Sequence, residues 1–260
     1  MKRITQLKDD ALSVLDGNFG KAALATLGFV VISAFISFAF NMISGFNLLD
    51  YYDALLDGDF YGLMDAAGGN VMASLLEVLV SIFFTVPLAV GMANAYRALL
   101  ESKGSDNNIF ANFFKQGFGN HYFHIVLVSF VSGILIALLL IPAFLIVILV
   151  VVLLQSAFAT VILVIATLVY TLWISLTYSQ ISFIVLNNPE LDIIETMRTS
   201  RHLMAGKRMK YFLLELSFIG WILLGLLTLG IGYLWLMPYI STTEAAFYCD
   251  VRDAEKTGQA

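Results

Sequence analysis

Charge is what this chain has least of. Only 13% of its 260 residues are charged, and 60% are hydrophobic. Soluble domains carry about 25% charged residues, so a soluble fold of this length is excluded. Cysteine is nearly missing as well: Cys249 stands alone and can close no disulfide within the chain. No basic stripe exists of the kind nucleic-acid binding requires. There is no Gly-x-Ser-x-Gly elbow, no Walker loop and no His-Glu-x-x-His helix. Asp57-Gly58-Asp59 lacks the spacing and the closing Glu of a calcium loop. His121 and His124 are three apart but have no third ligand nearby, and they read as interfacial anchors. The expectation is a non-enzymatic protein with no metal and no cofactor.

Where positive charge is missing matters more than how little there is. All fourteen Lys and Arg fall within 1–21, 97–115, 198–210 and the tail at Arg252 and Lys256. Each gap between them is long enough to cross a bilayer and return. Loops that stay on the cytoplasmic side keep Lys and Arg, because translocating them is unfavourable. The long loop at about 44–70 instead carries Asp50, Asp53, Asp57, Asp59 and Asp65. The pattern predicts a multi-pass protein with both termini inside and an even number of spans. Met1-Lys2-Arg3 has the charge of a signal peptide, but the apolar segment after it exceeds the usual ~7–15 residues and reads as an uncleaved first span.

About 20 residues cross the hydrocarbon core. Spans are expected at about 22–43 and 71–96. Two long helices between Tyr122 and Leu186, turning near Gln155-Ser156, provide the third and fourth. The last two are expected at 211–229 and 233–249. The sixth is short and polar at its inner end, which suits a re-entrant segment or one enclosed by protein. A cytoplasmic amphipathic helix precedes each hairpin. In the first, Ile4, Leu7, Ala11 and Leu15 share a face that Gly17 closes. In the second, Asp106 is the expected cap and Phe110, Phe113, Phe114 and Phe118 the apolar side. The third runs from Asn188-Pro189 through Leu191, Ile194 and Met197 to Gly206. The fold class is therefore all-α: one integral membrane domain over 1–260, with about six transmembrane helices as three hairpins. Repeats over 1–100, 106–187 and 188–250 are one reading of this pattern. The other is that any segment leading into a span is amphipathic.

The region 178–248 carries a distinctive text. It runs Tyr178-Ser179, Asn188-Pro189, Ser200-Arg201-x-Leu203-Met204-x-Gly206-Lys207 and Leu216-Ser217-Phe218-Ile219-Gly220-Trp221. It continues with Thr228-Leu229-Gly230-Ile231-Gly232, Trp235, Pro238-Tyr239 and Ala246-Phe247-Tyr248. With Leu12-x-x-Leu15-x-Gly17-Asn18-Phe19, it resembles the bacterial six-span membrane proteins of the domain of unknown function 975 family. Ile141-Pro142-Ala143 departs from that family's usual Ile-Pro-Gly, and 143–176 looks like an insertion. The resemblance implies the bacterial cytoplasmic membrane and brings no activity with it.

Ionisable groups inside spans are costly and mark function by default. Glu215 and Glu244 are expected in the inner leaflet on adjacent helices. Asn94, Tyr178, Gln180 and Thr243 fall at the inner ends of spans two, four and six. Together these six are the candidate lining of a polar cavity open to the cytoplasm. The function expected is binding or transport of a small molecule, lipid or ion. The alternative is a scaffold or accessory subunit that binds lipid or a protein partner. The bilayer is the expected partner, with a second copy or another membrane protein as candidates.

Overall fold

The computed structural model describes residues 1–44, 48–59, 61–62, 71–105, 108–154 and 157–258. Among them the chain is all-α, without a strand. The first unit is α1 (Ile4–Leu15), α2 (Phe19–Ser44), the short α3 (Leu48–Asp57), α4 (Val71–Val80) and, after one π-helical turn at Ser81–Thr85, α5 (Val86–Glu101). The second is α6 (Ile109–Gly117), α7 (Tyr122–Leu154), α8 (Ala157–Tyr178) and α9 (Ile181–Asn187). The third is α10 (Ile193–Leu203), α11 (Arg208–Leu216), α12 (Ile219–Leu227) and α13 (Tyr233–Lys256). The expected turn at Gln155-Ser156 and the expected cap at Asp106 lie outside the described residues.

Five stretches are long and apolar enough to cross a membrane: Phe19–Phe40, Leu75–Glu101, Tyr122–Val150, Phe158–Asn187 and Arg208–Leu227. The sixth stretch expected, 233–249, is not one of them. It forms the first part of α13, whose later turns add Asp250, Arg252, Asp253, Glu255 and Lys256. Of the two alternatives for this segment, the structure has the helix enclosed by protein. Thr242, Thr243, Ala245, Ala246, Phe247, Tyr248 and Val251 are all buried, and α13 packs against α1, α2, α5 and α12. The most polar of the expected spans is thus the hub of the fold.

At two interruptions of the apolar helices, hydroxyls turn back on carbonyls of their own helix, a bond that loosens a helix slightly. Between α8 and α9, Thr177 Oγ1 donates to Trp173 O at 2.7 Å and Ser179 Oγ to Leu176 O at 3.1 Å. Between α11 and α12, Ser217 Oγ donates to Leu214 O at 2.5 Å. That break leaves the Ser217 carbonyl free to accept from Lys8 Nζ at 3.2 Å. The π-helical turn acts similarly, its Phe83 carbonyl accepting from the Tyr122 hydroxyl at 2.7 Å.

The three amphipathic helices form as their spacing implies, with two differences. Helix α10 starts at Ile193, because Asp192 is extended and accepts the Glu195 N–H at 2.7 Å. Asn188-Pro189 therefore belongs to the turn before it. Helix α6 does not lie apart from the spans but runs along α5 and α2. Phe113 is wholly buried there and meets Phe29 edge-on at 6.5 Å. Helix α1 buries Leu7, Ala11 and Leu15 completely. Gly17 and Gly206 follow α1 and α10 at φ +73° and +72°, a left-handed conformation that only glycine adopts without strain.

Packing follows one rule around the bundle. Helix α6 lies against α5 of the unit before it, and α10 lies against α9 of the unit before it. Helix α1 lies against α13, the last helix of the chain. The long helices repeat the rule, with α7 on α5, α11 on α8 and α2 on α13. The closure is tied at Asp250, whose carboxylate accepts the Lys2 backbone N–H at 3.0 Å and lies 3.4 Å from Lys210 Nζ.

The α5–α6 contact depends on two glycines. A Cβ on Gly117 would come within 2.6 Å of the Pro87 carbonyl oxygen, and one on Gly91 would meet Gly117 N at 2.7 Å. Gly117→Ala should therefore destabilise the protein by about 1–3 kcal/mol, the usual range for overpacking. Gly20→Ala, where nothing lies within 4 Å of the added carbon, is the matched control. Thermal melting of both in detergent measures the difference.

Candidate functional site

The two acidic candidates on α11 and α13 come together. Tyr211 and Glu215 are four apart on α11 and so share a face. The Tyr211 hydroxyl donates to Glu244 Oε1 at 3.4 Å, and Glu215 lies beside it. Tyr211 is 7% exposed, and its ring packs on Phe247 at 4.9 Å. Glu215 Oε1 is buried without a hydrogen-bond partner.

No cation reaches this pair among the described residues. Lys210, on the same helix, is committed to Asp250. Lys8 donates to Ser217 O and stands 4.0 Å over the Phe218 ring. Burial alone pushes the Lys8 ammonium below the usual lysine range. A phenol donates a single hydrogen bond. One hydroxyl therefore lies beside two carboxylates, with no compensating cation among the described residues.

The other four candidates lie in different surroundings. Asn94 is fully buried on α5, and its Nδ2 donates to Val90 O at 3.0 Å and Ser182 O at 2.7 Å. Its Oδ1 accepts from Arg97 Nε at 3.0 Å. Gln180, also fully buried, donates to Ser179 Oγ at 2.8 Å, while its Oε1 has no partner. Tyr178 packs on the cluster of Val90, Ile125, Val128 and Ile181. Thr243 is spent on its own helix, donating to Tyr239 O at 2.7 Å. Five cavities of 240–450 Å³ are lined by other residues. Asn94 thus staples α5 to the α8–α9 break. Asn94→Leu leaves the Arg97 Nε and the Ser182 carbonyl without this partner and should lower stability by about 1–3 kcal/mol, read as a fall in melting temperature.

Sequence reasoning missed three features. Tyr211 was legible in principle, since it is aromatic and four residues before Glu215. The second feature is a polar ladder on α5 and α13. Arg97 and Arg252 both bind Glu101, each at 2.9 Å, and Arg252 Nε reaches Asp253 at 3.0 Å. Burial works against the Arg252 charge, but its bonds to Glu101 and Asp253 hold its pKa above the ordinary value. The third is Tyr248, whose hydroxyl accepts from Asn187 Nδ2 at 2.8 Å and whose ring stacks on Phe183 at 5.0 Å. Only the four-residue spacing of Arg97 and Glu101 could have signalled any part of the last two.

An all-α bundle with five helices of membrane-crossing length, and a half-buried acidic pair between two of its helices, defines a class of helical membrane-type proteins. The chain belongs to the family described as protein of unknown function (DUF975), whose family model matches residues 1–255. No curated protein and no solved structure is similar enough to count as a match.

Proposed function

We propose that this chain is a non-enzymatic, multi-pass protein of the bacterial cytoplasmic membrane that binds, and passes on, a proton or small monovalent cation. The Tyr211, Glu215 and Glu244 side chains hold it. One observation carries the reading: two carboxylates on neighbouring helices flank one tyrosine, whose hydroxyl donates to Glu244, and among the described residues no cationic side chain pairs with either. In a low-dielectric setting, two such charges repel, and a shared proton or a bound cation relieves this. Replacing a carboxylate by its amide, with flux measured in vesicles holding the full-length protein, tests the proposal.

Both termini face the cytoplasm in this proposal, as the placement of Lys and Arg indicates, with the 24-residue α13 making the sixth crossing inside the bundle. The three units are repeats of a leader helix and a hairpin, and the rotation of contacts from unit to unit supports that reading. A scaffold that offers amphipathic helices to lipid or a partner has less support, because α1, α6 and α10 spend much of their apolar faces within the bundle. Leu7, Phe113 and Leu203 are each 3% exposed or less.

A further inference from the structure

Three apolar grooves lie at the three places where a long helix of one unit meets the unit before it. One runs between the α4–α5 region and α7, one between α1–α2 and α12–α13, and one between α8 and α11. They have similar volumes of 390, 450 and 390 Å³, within the range of about 300–1,000 Å³ usual for small-molecule sites. The walls are apolar and largely open sideways: in the α8–α11 groove Leu172, Trp173 and Met209 are 42%, 48% and 66% exposed. Phe212 and Leu176 complete that groove.

The α8–α11 groove differs from the other two in having an arginine in its wall. The Arg208 guanidinium lies over the Trp173 ring at 4.8 Å. Its Nε is buried and has no hydrogen-bond partner, and among the described residues no carboxylate pairs with it. Lys207 precedes it and is likewise without an ion pair among the described residues. No acidic residue lines the groove. An apolar trough ending at an unpaired guanidinium is complementary to an amphiphile with a negative head. Guanidinium matches phosphate oxygens with two parallel hydrogen bonds. Basic pockets between helices on the cytoplasmic side are suited to anionic lipid head groups.

We propose that the α8–α11 groove binds one anionic phospholipid of the surrounding membrane, its acyl chain against Leu172, Trp173 and Phe212 and its phosphate on Arg208. The site is distinct from the acidic pair, and neither proposal depends on the other.

The test uses tryptophan fluorescence of the full-length protein. Of the three tryptophans, Trp221→Phe and Trp235→Phe leave Trp173 as the sole reporter, placed in the groove itself. The protein is reconstituted in phosphatidylcholine vesicles containing brominated phosphatidylglycerol or brominated phosphatidylcholine, lipids that quench on contact. Brominated phosphatidylglycerol should reach half-quenching at roughly fivefold lower mole fraction, the effect expected for one cation near anionic lipid. Arg208→Gln should abolish that preference while leaving quenching by brominated phosphatidylcholine intact, which shows that the helix is still seated in the bilayer. Arg208→Lys should keep part of it. Arg198→Gln makes the same change in net charge at an exposed position on α10 and should keep all of it. Equal quenching by the two lipids in the parent protein would overturn the proposal, as would a preference that survives Arg208→Gln or is lost equally in Arg198→Gln.

Discussion

Glu244→Gln should lower proton or monovalent-cation flux through the reconstituted protein by roughly 10- to 100-fold, the loss expected when one charged contact to the ion, worth about 1.5–3 kcal/mol, is neutralised. The amide has nearly the shape of the carboxylate and can still accept from Tyr211, so the packing on Phe247 is kept. The charge that attracts the ion is gone. Replacing one member of a half-buried like-charged pair by a neutral group of equal size should not destabilise the fold, and the melting temperature is expected to stay level or rise. Glu215→Gln should act in the same direction. Tyr211→Phe removes the shared hydroxyl but neither charge, and should have the smallest effect of the three. The flux is read with a pH-sensitive dye for protons and with isotopic uptake for sodium and potassium. A folded Glu244→Gln protein with parental flux for all three ions would end the proposal.

Leu7→Asp should destabilise the protein by about 3–5 kcal/mol, because it creates a cavity and leaves an unpaired charge inside it. Leu7 is 0% exposed and belongs to the cluster that holds Tyr211, Leu214, Phe247 and Tyr248. Its helix is the N-terminal piece that closes the bundle onto the C-terminal one, and the same cluster supports the tyrosine between the two carboxylates. Leu12→Asp, five residues on and on another face of the helix, faces outward at 40% exposure and should cost far less. Melting in detergent and the rate of trypsin cleavage at the N-terminal lysines separate the two variants. Equal stability of Leu7→Asp and the parent would mean that α1 is not docked on α13.

The amphipathic helices show how sequence and structure divide the problem. The four-residue rhythm of Ile4, Leu7, Ala11 and Leu15 and the closing Gly17 were enough to place α1. Nothing in that rhythm named α13, more than two hundred residues away, as its partner. For α6 the phenylalanines indicated an apolar face, yet the surface they pack on depends on Gly91 and Gly117 allowing two backbones to touch. Spacing within one segment cannot reveal such a pairing, because it takes two helices to make the contact. Helix α10 was expected three to five residues too early, since Asn188-Pro189 has the chemistry of a helix start. Asp192, which accepts the Glu195 N–H, won the competition.

The candidate residues divide in a similar way. Glu215 and Glu244 were recognisable because charge in an apolar stretch is conspicuous. That they meet depends on the angle at which α11 and α13 pack. Asn94 and Gln180 were as conspicuous, but Asn94 bonds to the Ser182 carbonyl in the first turn of α9, just past the helix break at Ser179 and Gln180. Local hydroxyl bonds accompany the break, and its position against Asn94 is a matter of packing.

Class, helix content and the order of apolar segments were written in composition and charge, because transfer into an apolar phase is a property of each segment alone. The enclosed hub at α13, the docking of α1 on it, the pairing of the acids at Tyr211 and the unpaired Arg208 beside Trp173 arose only when segments distant in the chain were packed together. Close packing depends on shape at contact, which no single stretch of residues contains.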